Sequence, residues 1–144
     1  MDLNTINVLV LAYLGDTIYE DYIRKALISR KINHVDELQK EAVKYVSAKS
    51  QAEFLHKIYD HYARYHFKKD LDILGKLIEE EFFTEEEMSI IKRARNYKSK
   101  SHPKNCNIIT YRYATALEAV IGYLELKEDK SRINEIMLHI LGGK

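Results

Sequence analysis

The chain is expected to fold as an all-α domain, and three observations carry that expectation. One proline and five glycines in 144 residues leave little room for turns. Apolar residues return every three or four positions, the spacing of one helical face. A composition of 46% hydrophobic and 31% charged residues suits a folded domain rather than a disordered chain. At this length a single domain over residues 1–144 suffices to bury a core.

The first helix is read from Asn4 to Ser29, with Asn4 as its N-cap. Leu9, Ala12, Asp16, Tyr19, Ile23 and Leu27 share one face, which puts a carboxylate at the centre of an apolar stripe. Desolvating an isolated charge there is expensive. Gly15 beside it gives up about 1 kcal/mol of helix propensity relative to alanine. The stretch "AYLGDTIYE" therefore calls for a reason other than stability. Residues 30–35 lead to a second helix expected from Asp36 to Tyr65, burying Leu38, Ala42, Tyr45, Val46, Leu55, Ile58 and Tyr62. Its "VSAKSQAEFL" portion is small and polar, which suits close packing or contact with a partner. A helical hairpin arm is expected over Leu71–Phe83.

Thr84 opens the clearest helix. Thr84 and Glu87 have the spacing of a capping box, and Phe83 and Met88 that of a hydrophobic staple. The glutamates there read as a capped, solvated helix start. That helix is expected to end near Arg95, followed by a loop over Asn96–Asn107 that holds the only proline, Pro103. Helices over Tyr111–Leu126 and Ser131–Leu141 complete the chain.

Charge and cysteine usage narrow the function classes. The net charge of +1 hides a segregation: "EEEFFTEEE", residues 79–87, has six glutamates, and "KRARNYKSKSHPK", residues 92–104, has six bases and no acid. Arg93, Arg95, Lys98 and Lys104 interleave with Asn96 and Tyr97, residue types that contact phosphate and sugar oxygens. A solvated loop is the plain alternative. The lone Cys106 excludes an internal disulfide and a cysteine-based zinc site, and it is read as a packing residue. The six histidines show no HExxH spacing, and no P-loop, dinucleotide or nucleophile-elbow glycine pattern occurs. The apolar run Val8–Leu14 is too short to span a bilayer, and Asp2 stands where a signal peptide carries bases. No membrane association and a cytoplasmic location are therefore expected.

Glu118 is a second carboxylate in unusual company, with Ala114, Thr115, Ile121 and Gly122 as its helical neighbours. Two such carboxylates on separate helices suit one hydrated magnesium ion, which takes few protein oxygens and keeps water and phosphate as further ligands. Spacing alone equally allows each to lie at a helix edge or beside an arginine.

Taken together and in order, "LAYLGDTIYE", "VSAKSQAEFL", "FFTEEEMSIIKRARNYKS", "PKN" and "TYRYATALEAVIGYL" resemble the ribonuclease III catalytic domain. The likeness is nearest to the short Mini-ribonuclease III form, which has no separate double-stranded-RNA-binding domain. It spans nearly the whole chain apart from about residues 60–80. The resemblance implies a helical homodimeric endonuclease that hydrolyses double-stranded RNA with Mg2+, leaving 5′-phosphate and 3′-hydroxyl ends. The substrate it implies is the precursor of large-subunit (23S) ribosomal RNA, with a ribosomal protein as a further candidate partner. Asp16 matches the signature aspartate and Glu118 the glutamate of the second signature, which makes both catalytic metal ligands. Gly15 then lets backbone or substrate approach closely. Lys49, Arg93, Arg95, Asn96, Lys98, Lys104 and Arg112 are the candidates for RNA contact.

Two positions depart from the full-length ribonuclease III pattern. Ala12 stands where it has a glutamate, and Thr115 where it has an aspartate. Mini-ribonuclease III shares this reduced set, which leaves fewer carboxylates for a second ion. A non-catalytic RNA-binding module of the same fold is the competing expectation. For a two-fold dimer, Val8, Leu11, Tyr19 and Tyr22 are the apolar residues of the first helix expected to be free for an interface.

Overall fold

The computed structural model describes residues 2–55, 83–98 and 107–142. A 3-10 turn at Leu3–Thr5 precedes α1 (Val8–Ser29) and α2 (Val35–Val46). Residues 48–55 are helical and form α3. They are followed by α4 (Glu85–Asn96), α5 (Ile108–Leu126) and α6 (Lys130–Gly142). No strand occurs among the described residues. Ile58, Tyr62, the expected hairpin arm before Phe83, Pro103, Lys104 and Cys106 lie outside them.

The N-terminal cap falls three residues later than the sequence reading placed it. Asp2 caps the short 3-10 turn by accepting from the Asn4 amide at 3.0 Å, and Asn7 caps α1 by accepting from the Leu9 amide at 2.8 Å. The expected long second helix is divided at Ser47, whose backbone is extended. Its amide closes α2 on the Val43 carbonyl at 3.3 Å. Its hydroxyl then accepts from the Ser50 amide at 3.1 Å, and its carbonyl from the Gln51 amide at 3.0 Å. One serine ends a helix and caps the next. Apolar periodicity continues across the break and conceals it.

Helix α1 packs mainly against α5, and the two backbones touch where Gly15 meets Gly122. A Cβ at Gly15 would overlap the Glu118 carbonyl and stand 2.8 Å from the Gly122 nitrogen. A Cβ at Gly122 would overlap the Leu11 carbonyl. The buried stripe of α1 is Val8, Leu11, Ala12, Gly15, Tyr19, Ile23 and Leu27. Gly15, not Asp16, is therefore at its centre, and Asp16 is exposed. The expected interface set changes for the same reason. Val8, Leu11 and Tyr19 belong to the core of this chain, and the Tyr22 hydroxyl is engaged by Asn134 of α6. The exposed apolar side chains in the N-terminal half of α1 are Val10 and Tyr13, 56% and 83% exposed, and Tyr13 lies one turn before Asp16.

The capping box of α4 is complete. The Thr84 hydroxyl accepts from the Glu87 amide, and the Glu87 carboxylate accepts from the Thr84 amide, both at 3.1 Å. Phe83 and Met88 are both buried in the core, as the staple requires. Glu87 is not solvated, however. It is 2% exposed and holds Arg132 of α6 through two hydrogen bonds, Nε to Oε2 at 2.8 Å and a terminal amine to Oε1 at 2.9 Å. Glu85 and Glu86 do face solvent, and Glu86 binds Lys127 at 2.7 Å. Arg132→Met should destabilise the fold by about 2–3 kcal/mol, because a desolvated carboxylate loses its partner. The arginine is itself 18% exposed, so water softens the loss. Urea unfolding checks this, and the double variant Glu87→Gln, Arg132→Met should recover part of the loss.

Candidate active site

The crossing of α1 and α5 decides the geometry of the site. Asp16 follows Gly15 on α1, and Glu118 is the residue whose carbonyl Gly15 packs against. Neither glycine interposes a side chain, and Asp16 lies near enough to Glu118 to raise the pKa of its carboxyl group. Glu118 is half-buried. From α3, the Gln51 amide donates to Glu118 Oε2 at 3.3 Å.

A hydrogen-bonded pair of tyrosines joins α1 to α2 beside the site. The Tyr19 hydroxyl donates to the Tyr45 carbonyl of α2 at 2.7 Å. The Tyr45 ring stacks on Phe54 of α3, and its hydroxyl accepts from Arg30 at 3.0 Å. Burial raises the Tyr19 pKa above the usual phenol range, with smaller pushes from Glu118 and Tyr45. Tyr19 therefore remains a neutral donor.

The electrostatics point to missing positive charge. Glu118 is pushed up to about 9, first by burial and then by the hydrogen bond and charge of Asp16. Gln51 opposes that shift, and Glu20, one turn along α1, adds a little to it. Glu20 is itself paired with Arg24 at 3.1 Å. Among the described residues no cationic side chain offsets the Glu118 shift, so a bound cation is what would neutralise the pair. Among the described residues no group of three or more His, Cys, Asp or Glu converges, so the donor set is a pair of carboxylates. Ala12 and Thr115, the two departures from the four-acid pattern, are both buried, and the Thr115 hydroxyl donates to the Tyr111 carbonyl at 2.8 Å. Neither offers the site a further charge.

The candidates for RNA contact separate into distinct roles. Lys49, Asn96 and Lys98 are exposed. Arg95 is half-buried, with Nε on the Asn96 side-chain oxygen at 3.3 Å. Arg93, expected to face RNA, is half-buried and donates to the Ile6 carbonyl at 2.5 Å, tying α4 to the N-terminal turn. Arg112 lies beside Leu9, Ala94, Tyr97, Tyr111 and Thr115, and its buried Nε has no hydrogen-bond partner among the described residues. Lys104 lies outside the described residues. Gln51 is the site residue the sequence reading missed. The small, polar character of its segment was visible, but its partner lies 67 positions away.

Comparison with known proteins places the chain in a family. A profile of the ribonuclease III domain matches residues 9–129. The chain is 36% identical to Mini-ribonuclease 3 of Streptococcus pneumoniae over 137 residues, covering 95% of this chain and 92% of that protein. It is 42% identical to Mini-ribonuclease 3 of Brevibacillus brevis over 136 residues, covering 94% and 86%. The crystal structure of protein FN1578 from Fusobacterium nucleatum superposes with a TM-score of 0.75 at 29% identity, covering 100% of this chain and 99% of that one.

Proposed function

The chain belongs to the ribonuclease III family, and from that premise we propose that this endoribonuclease cleaves double-stranded RNA with Mg2+ at Asp16 and Glu118. The observation that carries the reading is the meeting of these two carboxylates across the glycine crossing. They fit the ion. Magnesium keeps several waters and takes one or two carboxylates together with substrate phosphate oxygens, and this pair lacks one compensating positive charge. Bound there, the ion would supply Lewis-acid polarisation of the scissile phosphate and a more acidic water.

The chain's own residues do the rest. Asp16 and Glu118 would hold the ion, and the Tyr19–Tyr45 hydrogen bond links the helix that carries Asp16 to α2. Lys49 and Lys98 meet the phosphate backbone, with Arg95 and Arg112 as further cationic contacts. A-form RNA is recognised mostly through shape, phosphates and 2′-hydroxyls. A surface without a base-reading element therefore suffices. Lys49→Ala and Lys98→Ala should each weaken binding to all duplexes alike and lower the salt slope of affinity by about 0.7–0.9, on the scale established for DNA. Arg93→Ala should instead act through stability, because its guanidinium serves the Ile6 carbonyl. An unchanged slope in both lysine variants removes them from the interface.

Two strands require two hydrolytic centres, and each chain has one carboxylate pair. A two-fold homodimer supplies both, related as the strands are. Val10 and Tyr13, outward on the helix that carries Asp16, are the apolar residues suited to that contact. The physiological substrate in this reading is the 23S ribosomal RNA precursor in the cytoplasm, with a ribosomal protein as an accessory partner. Purified protein should cut a plain RNA duplex only with Mg2+, and excess Asp16→Asn chains should turn double cuts into nicks. Duplex binding without Mg2+-dependent cutting would leave the non-catalytic module as the function.

A further inference from the structure

We propose that Gln51 is a positioning residue, fixing the Glu118 carboxylate for the ion it would share with Asp16; the inference rests on the magnesium reading above. Three observations carry it. Gln51 is 2% exposed, so its amide is removed from water. Its donor is used on Glu118 Oε2 at 3.3 Å, across 67 residues of chain. Its own backbone is anchored, because the Gln51 amide donates to the Ser47 carbonyl at 3.0 Å in the capped first turn of α3.

The chemistry explains the residue type. A carboxylate being held for a cation needs a donor that brings no charge of its own. Lysine or arginine there would supply the charge that the metal is meant to supply. A third carboxylate would add to the repulsion between the first two. A serine or threonine hydroxyl lacks the reach. A buried glutamine satisfies one oxygen of Glu118 and leaves the pair's charge deficit for the ion. Partners of this kind, one step removed from a metal, orient the ligand and typically carry 10–100-fold in metal affinity.

The test uses the full chain and Mn2+ as the probe, measured by loss of its free-ion EPR signal without RNA. Gln51→Met keeps side-chain length and removes the donor; it should weaken Mn2+ binding by about tenfold or more. The Mg2+ concentration for half-maximal cutting should rise by a similar factor, while the rate at saturating Mg2+ falls much less. Gln51→Lys should abolish Mn2+ binding and retain duplex binding. A lower melting temperature in EDTA with unchanged Mn2+ affinity would show that Gln51 serves packing alone, and would overturn the proposal. If Gln51→Met does not fold, Gln51→Lys decides, because unchanged Mn2+ affinity there overturns it equally. Failure of the magnesium reading has a different signature: no Mn2+ uptake by the unmodified chain, and cutting that survives Asp16→Asn.

Discussion

Asp16→Asn and Glu118→Gln are each expected to lower duplex cleavage by more than about 100-fold while the fold is retained. Residues one step removed from a metal cost 10–100-fold when replaced, and loss of a direct ligand should exceed that. Stability should move the other way. The Glu118 pKa is raised from 4.5 to about 9 in the fold, so the folded state binds that proton more tightly than the unfolded chain. Its stabilising contribution is complete below the ordinary carboxylate range and is lost as pH rises toward 9. In EDTA the unmodified protein should therefore melt at progressively lower temperature between pH 5 and pH 9. Asp16→Asn, which removes the neighbouring charge, should flatten that decline, and Mg2+ should restore stability only where both carboxylates are present. Cutting by either variant at close to the original rate would remove the metal assignment.

Gly15→Ala is expected to destabilise the protein by more than about 3 kcal/mol, although it adds a single methyl group. Alanine would gain about 1 kcal/mol of helix propensity over glycine. Against that gain, the new Cβ would overlap the Glu118 carbonyl and press on the Gly122 nitrogen. Both are backbone atoms that no rotamer change can move. The helices would have to separate, opening the core from Leu11 to Leu117 and drawing Asp16 away from Glu118. Urea unfolding should show the loss, and Mn2+ affinity should fall in whatever fraction still folds. Stability equal to that of the unmodified chain would mean that the crossing is looser than the structure shows.

Much of the fold was legible in the sequence because amphipathic helices and caps are local. The complete Thr84–Glu87 box and the helical spans that followed from spacing are of this kind. Pattern reading erred where a residue's role depends on another element. It centred the α1 stripe on Asp16, since a glycine has no side chain to count as apolar; Gly15 is the centre because α5 approaches there without room for a Cβ. It read Glu87 as solvated because Arg132, which buries it, is 45 positions away. It could not foresee the hydrogen bond from Arg93, because the Ile6 carbonyl is 87 positions distant.

The sequence by itself determined an all-helical domain, its resemblance to a nuclease family, and the two carboxylates whose placement stability does not explain. Those are properties of residue type and spacing along one helix. Only the tertiary structure decided that Asp16 lies near enough to Glu118 to raise its pKa, that Gln51 holds Glu118, and that Val10 and Tyr13 of α1 face outward. Each of these depends on the closeness and rotation of packed helices, and here two glycine backbones in contact set that closeness.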